Sequence, residues 1–146
     1  MVAARKAALE VIWRHAMPVF QLTPINAAAC PIVIVEFGMW NNFGFGPTGQ
    51  GSAFELWAEH QEERDELLAN CLRAVMEGRF EIALRGGRVL GRPKDAWTLV
   101  GRFLDLPVGT LRYEKTPVRA EEFQFVFGDS LPAPGEDAGP HRFDAY

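Results

Sequence analysis

The histidines, serines and cysteines of this chain are few: His15, His60 and His141, Ser52 and Ser130, Cys30 and Cys71. No serine stands in a G-x-S-x-G elbow and no histidine pair in H-E-x-x-H, so neither common hydrolytic pattern is present. His60 and Glu63 lie one helical turn apart, which begins a metal site, but one imidazole and one carboxylate make an incomplete zinc set. His60 and Cys71 share a helix face at a distance of roughly 16 Å along the axis, too far for a dyad. His15 sits beside the apolar side of its segment with no acid or nucleophile fixed near it by sequence. Cys71 falls on an apolar stripe, where cysteine acts as a small hydrophobe. Two cysteines without CxxC spacing give no disulfide framework. An acid/base pair assembled in space from distant carboxylates leaves no local pattern. The sequence therefore leans against an enzyme without deciding the matter, and it names no cofactor and no metal.

Gly44-Phe45-Gly46-Pro47-Thr48-Gly49 is a literal G-x-G-x-x-G after an apolar strand. Such glycines let a backbone approach a pyrophosphate at a helix N-terminus. Here Pro47 removes an amide donor and the helix that should follow begins only near Gln61. Gly49 is followed by Gln50 and Gly51, so the Walker pattern fails. The Gly44 to Gly51 loop remains the place where an enzyme or small-ligand, nucleotide-binding reading would put its site.

A third candidate is acidic. Glu59, Glu62, Glu63, Asp65 and Glu66 front the central helix. Acids in a first turn complement the helix dipole, and the same charges would speed encounter with a basic protein. Trp40, Phe43 and Trp57 stand beside the glycine loop, and aromatics of this kind are common interface anchors.

Leu106-Pro107-Val108-Gly109-Thr110-Leu111-Arg112-Tyr113-Glu114 resembles the turn and recognition helix of the MerR-like helix-turn-helix family, which carries T-L-R-Y after a short turn. The resemblance implies a DNA-binding alternative. It spans those residues only, and the two residues between Val108 and Leu111 are fewer than the family's turn uses to swing its second helix into the groove.

These residues must be positioned by a small set of elements. Lys6, Glu10 and Arg14 at i, i+4 spacing, with Ala4, Ala8, Val11, Ile12 and Ala16 opposite, predict a helix over 3–16. Residues 17–31, with Pro18, Pro24 and Pro31, read as an extended connection. Ile32 to Phe37 reads as a buried strand, with further strands over 43–45 and 54–58. A helix is expected from Gln61 to Glu77, stopped by Gly78. Phe80 to Arg85 and Arg88 to Gly91 should form a hairpin about Gly86-Gly87. Trp97 to Leu104 fits a strand or a helix, with strand preferred, and Thr110 to Lys115 and Glu122 to Phe127 continue as strands. From Ser130 the prolines, glycines and acids predict a flexible tail.

The fold class expected is α+β: one antiparallel sheet of five or more strands packed against an N-terminal helix and a long central helix. Residues 1–129 would be a single domain and 130–146 the tail. At 146 residues and 48% hydrophobic content the chain can bury a core unaided. Its net charge of −4 argues against non-specific binding to nucleic acid. The N-terminal segment is broken by charges and no later run is long enough to span a bilayer, so no membrane is expected and the location should be cytoplasmic. Arginine far outnumbers lysine, a bias that reads as a GC-rich bacterial genome. The functional expectation is a small soluble bacterial protein that binds another protein, as an immunity or inhibitor protein neutralises a basic partner.

Overall fold

The computed structural model describes residues 6–14, 17–37, 40–45, 54–56 and 59–146. The chain begins with five strands: β1 (Ala7–Arg14), β2 (Met17–Pro24), β3 (Ile32–Phe37), β4 (Trp40–Phe45) and β5 (Phe54–Leu56). They pair antiparallel in the order β1-β2-β3-β4-β5. Helix α1 (Gln61–Met76) follows. Next come β6 (Phe80–Val89), β7 (Arg92–Leu106) and β8 (Gly109–Val118). A 3₁₀ turn (Ala120–Phe123), a single-turn helix α2 (Gln124–Phe127) and a second 3₁₀ turn (Gly128–Ser130) lead to β9 (Ala138–Arg142). The second sheet runs β8-β7-β6-β9.

This arrangement corrects the expected fold class. The strands are divided between two sheets, most of the described residues are in strands, and no single sheet lies under an N-terminal helix and a long central one. The segment expected to be the N-terminal helix is a hairpin, registered from Ala7 opposite Pro24 to Arg14 opposite Met17. The i, i+4 charges that suggested a helix are equally the even positions of one strand face. The run Val11-Ile12-Trp13 favours a strand, and β2 offers it a partner, so tertiary pairing overrides a weak helical pattern.

Buried side chains from both sheets and α1 meet in one core. Ile32 and Ile34 come from the first sheet and Cys71, Ala74 and Val75 from α1. Phe80, Ile82, Leu84, Trp97, Leu99 and Phe103 come from the second sheet, and Phe123 and Phe143 close it. Strict alternation along β6 and β7 does this work, since every second residue points inward. Gly78 ends α1 at φ 74° and lies so close to the C-terminal segment that a Cβ there would sit 2.9 Å from the Ala145 nitrogen.

Three further expectations change. Glu122 to Phe127 is helical turn rather than strand. The β6–β7 hairpin reverses at Leu90-Gly91, not at Gly86-Gly87; Gly86 instead lets the Gly135 backbone pass against it, and its amide donates to Asp137 Oδ1 at 2.8 Å. The C-terminal stretch read as a flexible tail contains β9, with Glu81 opposite Arg142 and Ile82 opposite His141. Beyond β9, Phe143 stacks on Phe80 at 5.7 Å, and the Tyr146 hydroxyl donates to the Cys30 carbonyl at 2.7 Å. Composition forecast disorder here, but two aromatic anchors and a strand register hold these residues down. No helix among the described residues is long and apolar enough to cross a membrane.

Candidate functional site: the open edge of the first sheet

Among the described residues, strand β1 stands at the edge of its sheet with β2 on one side only. Leu9, Val11 and Trp13 are opposite Leu22, Phe20 and Pro18, and Phe20 and Leu22 are in turn opposite Ile34 and Ile32. Directly opposed residues in an antiparallel pair share a face, so these three rows form one apolar surface. Burial along it falls steadily. Ile32 and Ile34 are in the core, Phe20 and Leu22 are half-buried against it, and Leu9, Val11 and Trp13 are 60%, 48% and 69% exposed. The core face of the sheet thus overhangs the core and ends in solvent.

The backbone of β1 has the matching polarity. The Lys6 carbonyl accepts from the Ile25 amide at 3.0 Å, one step beyond the Ala7–Pro24 pair. Because bonded and non-bonded pairs alternate in an antiparallel ladder, the even-numbered residues of β1 turn their N–H and C=O groups toward β2. Leu9, Val11 and Trp13 turn theirs outward. Pro18 and Pro24 fit this phase, since each stands at a position of β2 that owes β1 no amide. Apolar side chains and outward backbone groups therefore belong to the same three residues. The signal for this surface was the period-two spacing of Leu9, Val11 and Trp13, which the i, i+4 charge pattern concealed.

The acids expected to form a partner face do lie on or just before α1. Glu59, Glu62, Glu63, Asp65 and Glu66 are all exposed, and none of them is held in an ion pair among the described residues. His60 stands at the N-cap of α1 without a side-chain capping bond. Of the aromatics expected beside them, Trp40 and Phe43 belong to β4, whereas Trp57 lies outside the described residues. Of the Gly44 to Gly51 loop, Gly44 and Phe45 close β4 and the remainder lies outside the described residues, as do His15 and Ser52. The helix-turn-helix resemblance falls on the β7–β8 hairpin, with Leu106 opposite Gly109, so those residues carry no recognition helix.

Two of the grooves among the described residues flank the sheets. One, of about 700 Å³, lies between α1 and the C-terminus and is lined by Leu72, Arg73, Met76 and Tyr146 with Lys6, the residue before β1. The other, of about 510 Å³, crosses the solvent face of the second sheet beneath Arg85, Arg102 and Arg112. Its arginines are already answered: Arg102 pairs with Glu81 at 3.0 Å, and Arg85 and Arg112 both reach Glu114, at 3.3 and 2.7 Å. Such exposed pairs contribute little stability, but they leave the groove without a concentrated positive field.

Burial governs the titratable groups of the core. Burial pushes the Cys71 thiol up to about 12, so it stays protonated and is a poor nucleophile at neutral pH. Burial, with Cys30 beside it, also raises the Tyr146 hydroxyl. His141 packs edge-on against Phe143 at 4.9 Å. Among the described residues no three His, Cys, Asp or Glu side chains are grouped so as to hold a metal ion.

Comparison of the chain with protein-family models, with curated proteins and with solved structures returned no match.

Proposed function

We propose that this protein works by binding another protein through the apolar face at the β1 edge. The observation that carries the reading is the exposure of Leu9, Val11 and Trp13 on a surface continuous with the core. Contiguous apolar surface at an unpaired strand edge is costly in water and prone to wrong pairing, which natural sheets avoid with charges, prolines or a covering element. Among the described residues β1 carries none of these on this face, so a partner is the simplest reason for its composition. The acids at the start of α1 set the sign of that partner's charge. Five exposed carboxylates without ion pairs among the described residues, on a chain of net charge −4, favour a basic protein and would speed its approach. A protein that neutralises a basic partner, in the manner of an inhibitor or immunity protein, fits both features.

The test compares capture from host lysate by the unmodified protein with capture by Val11→Lys and Trp13→Lys. Both positions are exposed, so neither change should move the melting midpoint by much. The reading requires a stoichiometric basic partner held by the unmodified chain and lost by both folded variants. Equal capture by all three, or no partner for any, would move the function elsewhere on the molecule.

A further inference from the structure

The geometry points to the tip of the β6–β7 hairpin as a peripheral contact with an anionic lipid surface, one that needs no spanning segment. This goes beyond the β1 reading and stands independently of it.

The hairpin leaves its sheet before it turns. On the side of the tip, the pairing of β8 with β7 ends at Val118 opposite Trp97, and that of β9 with β6 ends at Ala138 opposite Leu84. From Arg88 to Pro93 it is a ribbon two strands wide, with Arg88 opposite Pro93 and Val89 opposite Arg92. Leu90 and Gly91 form the apex. Leu90 is 98% exposed and Val89 47% exposed, and Leu90 holds a φ of 51°. A leucine in the left-handed region is strained where asparagine or glycine is not, and an exposed one gains no packing to offset the strain. Strain kept at an exposed apolar apex is a mark of function rather than of stability. The ribbon behind it is braced. Arg88 Nη1 donates to the Gly91 carbonyl at 3.2 Å, and the Gly135 backbone passes so near Pro93 that a Cβ on Gly135 would lie 2.9 Å from the Pro93 Cβ.

Charge concentrates behind the apex. Residues 85–94 carry Arg85, Arg88, Arg92 and Lys94 and no acid, on a chain whose net charge is −4. Arg85 is paired with Glu114. The other three are exposed, and none is held in an ion pair among the described residues. Directly opposed residues share a face, so Arg92 and Lys94 stand on the face of Val89 and Arg88 stands on the other. The nearest acid along the chain, Asp95, is farther from the apex than all three.

The order along the ribbon selects a bilayer. Leu90 leads, and Arg88 follows two residues behind, about 7 Å back along the strand. Lipid headgroups form a layer about 5–7 Å deep over the hydrocarbon, so the leucine reaches the acyl boundary while the bases lie among the phosphates. A nucleic acid would answer the bases but give the apex leucine no hydrocarbon to enter. The β7–β8 tip supplies an internal contrast: Val108 is 85% exposed, yet no base stands within three residues of it and Asp105 does. With two apolar residues and three bases, the contact is reversible and weakens with salt.

Co-sedimentation of the full chain with sucrose-loaded vesicles tests the proposal. At low salt the protein should pellet with vesicles of phosphatidylcholine and phosphatidylserine and stay in solution with phosphatidylcholine alone. Removing one base by Arg92→Ala should weaken partition about fivefold. Leu90→Asn, which suits the turn, should fold at least as stably and weaken partition about tenfold. Because Cys30 and Cys71 are buried, Leu90→Cys and Val108→Cys can each carry an environment-sensitive fluorophore. Anionic vesicles should shift the emission of the label at position 90 to the blue and leave that at 108 unchanged. Equal pelleting with both kinds of vesicle, pelleting with neither, a Leu90→Asn that partitions like the unmodified protein, or an equal shift at 108 overturns the proposal. Retention on duplex DNA that Arg92→Ala weakens and Leu90→Asn does not, without vesicle binding, overturns it in favour of nucleic acid.

Discussion

Leu90 is 98% exposed and holds a φ of 51°, with Gly91 beside it at 76°. Both central residues of the β6–β7 turn are therefore left-handed, the geometry that suits a two-residue hairpin and that Asn or Gly adopts more cheaply than a leucine. Leu90→Asn should raise stability by about 1 kcal/mol, read as a higher midpoint in chemical denaturation with an unchanged slope; a lower midpoint would mean that Leu90 makes a contact the structure does not show. Cys71 gives the residue scale its pH dependence. The unfolded chain releases the thiol proton near 9.0, while the folded chain holds it to about 12. Above 9.0 the folded state binds more protons than the unfolded one, so stability is full below that value and declines as the pH rises toward 12. Tyr113 and Tyr146 act in the same direction, each pushed up chiefly by burial. The melting midpoint should fall as the pH is raised past 9.0, and fall less in Cys71→Ala; equal slopes in the two proteins would remove Cys71 as the cause.

At the scale of elements, the C-terminus separates composition from structure most clearly. A chain ended at residue 129 would lose β9 from the edge of β6 and Phe143 from its stack on Phe80. It would also lose the bonds that tie Tyr146 to Met76 and Cys30. It should melt without a cooperative transition, and a wild-type melting curve from it would show that these residues are the dispensable tail their composition suggests. Strands β3, β6, β7 and β8 were legible because alternation or a continuous apolar run leaves little choice, whereas β9 was hidden by the prolines, glycines and acids around it. The strand over Trp97 to Leu104 was also preferred correctly, although its helical spacing competed. Strand β1 was not legible, because its Lys6, Glu10 and Arg14 fit a helix stripe as well as a strand face, and only its pairing with β2 decides between them. Nor was the division of the strands into two sheets, which depends on which edges meet in space. Gly86-Gly87 misled for a related reason: glycines that admit a close backbone crossing look, in sequence, like glycines that make a turn. Of the candidate site, the exposed acids at the start of α1 were readable and the β1 face was not, since exposure of Leu9, Val11 and Trp13 follows from β1 being an edge.

For the molecule as a whole, the two sheets differ in what they leave open. The solvent face of the second sheet carries arginines and glutamates that answer one another across β6, β7 and β8. Among the described residues the first sheet leaves the apolar face and the backbone edge of β1 unanswered, and the acids of α1 add unbalanced charge on the same chain. The proposed protein-binding role therefore falls on the first sheet and its helix, with the second sheet and its C-terminal strand as support. Amide hydrogen exchange across β1, read on the isolated protein and again on its complex, tests this reading most directly. The amides of Leu9, Val11 and Trp13 should exchange fast in dilute protein and become protected on association, while those of the even-numbered residues, already bonded to β2, change little. Association that leaves these three amides as fast as before and protects another surface instead would contradict the account.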